Sequence, residues 1–159
     1  MPSSDTLPTI GAALAPVLQR TPIEQRPILV ALAERLAADR YREWARAVTD
    51  AGRSAELLAC AAREEDIAGR VEALYADAAA VQRDLVAANP DVHEINRALF
   101  ADRPLAQQFV IQAAGERLGA ATWRSFAKHA TDANVRDTFL ACATLEEDSA
   151  ACLERIVAS

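Results

Sequence analysis

The chain has 159 residues, a formal net charge of −6, and 37 alanines against only five glycines. That length suits a single domain with a real core. The acidic balance excludes a nucleic-acid binder or a ligand of anionic lipid, both of which need clustered bases, and no apolar run reaches the roughly 18–20 residues of a membrane span.

Residues 1–20 read as an N-terminal extension with a short helix from Leu7 to Leu18, interrupted near Pro16. This opening has an acid and no base before its apolar stretch, so it lacks the positive start of a secretory signal. Thr21-Pro22-Ile23-Glu24 is a helix start: Thr21 caps, Pro22 takes the first helical position and Glu24 closes a capping box. A long helix then runs to about Thr49, with Pro27 placed to kink it after the first turn. Asp50-Ala51-Gly52 breaks the chain, and a second long helix spans about Ser54 to Tyr75.

Residues 76–103 form a crossover of one or two short helices with a turn at Pro90. The third long helix opens at Asp102-Arg103-Pro104 and reaches about Ala130. Thr131-Asp132-Ala133-Asn134 breaks it, and the fourth spans about Val135 to Val157. Alanine is the strongest helix former and no segment alternates with a period of two, so the fold class is all-α.

The long helices come as a duplicated pair. Residues 34–74 shifted by 82 positions fall on 116–156 without a gap, and 18 of the 41 pairs are identical. Repeat 1 covers about 21–75 and repeat 2 about 104–157, so 21–159 is one domain in which each unit buries its apolar face against its twin.

Within each helix, residues at i, i+3, i+4 and i+7 share a face. The apolar stripe of 54–75 is Leu57, Cys60, Glu64, Ile67, Val71 and Leu74. That of 135–157 is Phe139, Cys142, Glu146, Ser149, Leu153 and Ile156. Glu34 interrupts the stripe of the first long helix and Glu116 that of the third. One carboxylate per helix therefore points inward, at a cost of several kcal/mol each unless protonated, paired or bound to metal. A pair of divalent cations is one remedy. The bland alternative is a relic, with Glu34 and Glu116 paired to Arg35 or Arg117 or sharing protons with Glu64 and Glu146.

The strings Glu34…Tyr41…Gly52…Ala61-x-x-Glu64-x-x-Ile67-Ala68 and Glu116…Trp123…Asn134…Ala143-x-x-Glu146-x-x-Ser149-Ala150 resemble the rubrerythrin/ferritin-like superfamily over roughly 30–75 and 112–157. The resemblance implies an up-down four-helix bundle with a long crossover between its second and third helices, carrying a di-iron or di-manganese centre. Glu34, Glu64, Glu116 and Glu146 would be the metal ligands, Glu64 and Glu146 bridging, with oxygen- or peroxide-linked oxidation as the chemistry. The chain departs from the family where it places two ligand histidines: Ile67 and Ser149 stand there. It also lacks any C-x-x-C pair for the cysteine-cluster iron site of rubrerythrins.

Two functional readings follow. One is a degenerate, carboxylate-only iron or manganese centre, since oxygen ligands suit hard cations. The other is a non-enzymatic scaffold that has lost its metal and serves assembly or small-ligand binding, with core alanines leaving a cavity. GAALAPVL in the N-terminal extension then covers an apolar patch or pairs two copies into a homodimer. Cys60 and Cys142 read as small apolar filler, Tyr41 and Trp123 as packing, and His93 and His129 as surface or helix-end groups. Three cysteines outside any C-x-x-C fit a reduced, cytoplasmic chain.

Overall fold

A computed structural model describes residues 6–159 and is helical throughout, with no strand among those residues. In chain order come α1 (Ile10–Arg20), a 3-10 turn (Ile23–Gln25), α2 (Arg26–Ala47) and α3 (Ala51–Glu72). The crossover holds α4 (Ala78–Ala88) and α5 (Val92–Ala98), and α6 (Leu105–His129) and α7 (Ala133–Ala158) complete the chain. No described helix is long and apolar enough to cross a membrane.

The four long helices pair as the repeat requires. α2 packs along α3 and α6 along α7, each pair joined by a link too short for anything but an antiparallel return. The pairs then meet unequally: the α3 and α7 backbones lie close together, whereas α2 and α6 lie further apart and meet through long side chains such as Tyr41 on Glu116 and Trp44 on Phe109. α1 packs against α5 and α6, so GAALAPVL covers its own domain.

Local chemistry corrects several boundaries read from the sequence. Thr21 does not cap the first long helix. Its hydroxyl donates to the Val17 carbonyl at 2.8 Å and closes α1 instead, a back-bond that a threonine makes as readily as a cap. Glu24 falls in the 3-10 turn, and Pro27 sits in the first turn of α2, where its missing N–H has no carbonyl to lose. It therefore starts the helix rather than kinking it. Pro16 lies inside α1 without ending it. Both tight breaks begin earlier than expected: Asp50 accepts from Arg53 N at 2.7 Å and Asp132 from Val135 N at 3.0 Å. Each aspartate is thus an N-cap, and Ala51-Gly52 and Ala133-Asn134 are already helical.

Two aromatic clusters fill the ends of the interior. Trp44 meets Tyr41, Phe100 and Phe109 edge-on at centroid distances of 5.4, 5.8 and 5.1 Å. At the other end Trp123 stacks on Phe139 at 5.5 Å and meets Phe126 at 5.6 Å. Such pairs add about 0.5–1.5 kcal/mol beyond the area they bury. The carboxylates lie between these clusters, which keep water away from both ends.

Candidate metal centre

All four glutamates singled out by the helical stripe are buried, Glu64, Glu116 and Glu146 to within 1% of complete. The register with Glu65 and Glu147 inside is thereby excluded. Those residues face outward, Glu65 to Arg35 and Arg42 and Glu147 to Arg124 at 2.6 Å. The bases next to the core acids do not neutralise them either: Arg35 pairs with Glu65 and Glu72, and Arg117 with Glu154.

Three of the four converge. Glu34 of α2, Glu64 of α3 and Glu146 of α7 each offer a carboxylate oxygen, and these oxygens lie within 4.8 Å of one another. Glu116 of α6 stands beside them with its Oε1 engaged otherwise, accepting from Tyr41 Oη at 2.6 Å and Gln112 Nε2 at 2.7 Å. Its place in a four-carboxylate ligand set is therefore that of a neighbour to the triad.

The triad has its own supports. Trp123 Nε1 donates to Glu146 Oε1 at 2.9 Å and also faces Glu34. Ser149, in the position where the resemblance expects a histidine, donates to Glu64 Oε1 at 3.0 Å and accepts from Arg63 Nε at 3.1 Å. It orients a carboxylate rather than replacing one. Ile67, at the other histidine position, is fully buried packing. Glu64 Oε2 is buried, and no donor among the described residues reaches it. An orphaned buried acceptor carries an uncompensated desolvation cost.

Tyr41 and Trp123 pack as their spacing predicts. Their polar tips, however, also hold carboxylates from other helices. The signal is present in the sequence, since a buried Tyr hydroxyl or Trp N–H needs a partner. Two further residues escape the sequence reading. Gln112 bridges Glu116 to Arg40, whose Nε donates to Gln112 Oε1 at 3.1 Å. Gly119 leaves room for Glu146: a Cβ built there would come 2.5 Å from Glu146 Oε1. The repeat has Ala37 at that position, so only comparison of the two copies could mark it.

Burial pushes Glu34 up to about 7, with the Glu116 charge adding to the rise. It drives Glu64 and Glu146 well above the ordinary carboxyl range, helped by the charges of Glu116 and Glu34 respectively. Glu64 and Glu34 lie close enough to share a proton, which in the metal-free protein is the alternative to an ion for the otherwise unpartnered Glu64 carboxylate. In the metal-free protein these groups favour the protonated form, and the sign of the pH dependence follows. A carboxyl raised in the folded state contributes stability that is complete below its unfolded value near 4.5 and is lost as pH rises through its folded value. Glu72 and Glu154, lowered by Arg35 and Arg117, act oppositely and lose their contribution as pH falls below the ordinary range. Thermal unfolding of metal-free protein should therefore show a melting temperature that rises from pH 8 to pH 5.5 and falls again below about pH 4.5. A rise in stability from pH 5.5 to pH 8 would mean that the core carboxylates are ionised without penalty.

A cavity of about 540 Å³ opens onto this centre. Its walls are apolar and come from α1, α2 and α6; Glu34, Glu116, Glu146 and Gln112 lie at its polar end. The spare cysteines play no part in the triad: all three are free and buried, which for Cys60 and Cys142 is the filler role expected of them. His93 and His129 are exposed, away from the carboxylates.

The class defined so far is an all-helical protein with a buried carboxylate triad. No family model, curated protein or solved structure matches this chain.

Proposed function

We propose that the chain is a ferritin-like four-helix bundle that binds a hard divalent cation, manganese or iron, through Glu34, Glu64 and Glu146. The observation that carries this reading is the fully buried Glu64 Oε2, left without a donor within a triad of carboxylates from three helices. A hard dication holds oxygens at about 2.1–2.5 Å, so no two of its ligands lie more than about 4.2–5.0 Å apart, and the triad's oxygens, within 4.8 Å of one another, are near enough to share one ion. An all-oxygen donor set favours manganese, magnesium or iron over zinc. The duplicated helical pair, the long crossover and the inward acids support the ferritin-like reading alongside the motif resemblance.

Bound iron or manganese supplies one-electron chemistry, which is the basis for oxygen- or peroxide-linked oxidation at this centre. The chain's own contribution is positional. Ser149 turns Glu64, Trp123 holds Glu146, and Tyr41 with Gln112 fixes Glu116 beside the triad. The aromatic clusters exclude water from both ends, which strengthens every electrostatic contact between them.

The second reading, a scaffold without metal, is favoured by Ile67 and Ser149 in the histidine positions. It expects assembly through residues 1–20, yet α1 is spent on its own domain. Dialysis against Mn²⁺, and against Fe²⁺ under anaerobic conditions, followed by metal analysis separates the two. Our reading expects about one ion per chain, lost in the Glu64→Ala/Glu146→Ala double variant. Background metal under every condition, with a concentration-dependent mass that disappears on removing residues 1–20, would establish the scaffold instead.

A further inference from the structure

The cavity over the carboxylates has the shape and charge of a ligand site, and we infer that it binds a small apolar primary amine, its ammonium group against Glu116 and its apolar body along α1 and α6. The volume of about 540 Å³ lies within the range of small-molecule pockets, and so does the division into apolar walls and a few convergent polar groups. α1 forms the roof because two glycines let it sit close on α6. A Cβ on Gly11 would come 2.5 Å from Leu118 Cδ2, and one on Gly115 would come 2.5 Å from Ile10 Cδ1. Ile10, Leu14, Leu18 and Leu118 therefore face the cavity as a continuous apolar surface.

The head group follows from charge. The ionisable groups lining the cavity are Glu34, Glu116 and Glu146, and every one is an acid. The nearby base, Arg40, does not line it. Its Nε and Nη1 are given to Gln112 and Asn96 at 3.1 and 3.2 Å, and its guanidinium lies 4.0 Å over the Phe100 ring. With a dication held by the triad, the surplus negative charge at the cavity's polar end is that of Glu116, since neither Arg40 nor Arg63, which is turned to Ser149 and Cys60, lines the cavity. An ammonium head removes that surplus and donates hydrogen bonds to a floor of acceptors, whereas a carboxylate head would enlarge it and a hydroxyl would leave it standing. Glu116 is the contact of choice because Glu34 and Glu146 belong to the triad, whereas Tyr41 and Gln112 engage only Oε1 of Glu116. The charge count rests on the cation-binding reading; the apolar body does not.

The test uses calorimetric titration of the full chain with octylamine, octan-1-ol and octanoate below their micellar concentrations, with and without Mn²⁺. Octylamine is expected to bind once per chain and at least about tenfold more tightly than octan-1-ol, with octanoate weakest, as a buried charge pair requires. Glu116→Gln, which leaves the triad intact, should cost octylamine about tenfold or more while leaving octan-1-ol binding and the retained manganese unchanged. Ala33→Phe, which fills the cavity from α2, should remove both ligands, and Ala15→Phe repeats the test from α1 if that variant does not fold. Failure of all three ligands to bind overturns the proposal even when manganese is retained. Equal affinity for octylamine and octan-1-ol overturns the choice of head group. Octylamine binding in a chain that never retains manganese upholds the cavity while the cation centre alone is lost.

Discussion

Glu64→Gln should raise the melting temperature of the metal-free protein and at the same time abolish the stabilisation that manganese confers. Both effects come from one atom. Glu64 Oε2 is buried without a donor, and burial together with the charges of Glu116 and Glu34 disfavours its ionised form. Glutamine has nearly the same shape, keeps an oxygen for the Ser149 hydroxyl and offers an N–H to Glu34. Glutamine is neutral without taking up a proton, so the stability that wild type loses at neutral pH through its raised carboxyl is recovered. The same change removes an anionic ligand from the triad. In the wild type, a cation at a hundred times its dissociation constant adds about 2.7 kcal/mol of stability; in the variant that increment should vanish. Thermal unfolding of both proteins with and without Mn²⁺ gives the four melting temperatures needed. A Glu64→Gln protein that is less stable than wild type yet still stabilised by manganese would show that the carboxylate is structural and the ion binds elsewhere.

Trp123→Ala should be the most damaging single change in the core, costing about 3–5 kcal/mol. Trp123 is fully buried, stacks on Phe139, meets Phe126 and supplies the side-chain N–H bonded to Glu146 Oε1. Truncation leaves a cavity and an acid deprived of its donor, and the two losses add. Trp123→Phe separates them: packing largely survives, and the missing hydrogen bond costs about 1–3 kcal/mol. That variant should also weaken manganese about 10–100-fold, the usual penalty for losing a group that orients a ligand. Urea unfolding gives the stabilities from midpoints at constant slope. A Trp123→Ala loss below about 1 kcal/mol would contradict the packing described for this end of the domain.

The long helices and their inward acids are legible in the sequence for a definite reason. The 3.6-residue period is carried by many positions at once, so Glu64 and Glu146 can be placed inside from the company of Cys60, Val71, Phe139 and Leu153. The two copies check each other, because the same core slot holds an acid twice. Helix ends are less legible because they depend on single side chains with competing options. Thr21 can cap forward or bond back, and the choice rests on where α1 ends. Asp50 and Asp132 read as parts of breaks, yet they start the following helices.

Within the site, residue identity shows which acids are buried but not which of them meet. Gln112 holds Glu116 from one turn earlier on the same helix, but the bond from Tyr41 depends on the offset of α6 from α2. Periodicity along one helix carries no information about that offset. The role of Ser149 is hidden in the same way. As a missing histidine it looks like a loss, and only its 3.0 Å bond to Glu64 shows that the position still serves a carboxylate. Arg40 has no counterpart in the other copy to mark it, whereas Gln112, four residues before Glu116 on one helix, is legible from that spacing. The 82-residue shift sets Val30 against Gln112 and Thr122 against Arg40.

The unequal meeting of the helix pairs has one more result. Because the α3 and α7 backbones lie close together while those of α2 and α6 are wider apart with the cavity and α1 on their side, a molecule assembled from two matching halves has acquired a front and a back. The cavity that reaches the acids is walled by α1, and shortening that one helix should change what enters without touching a single acid.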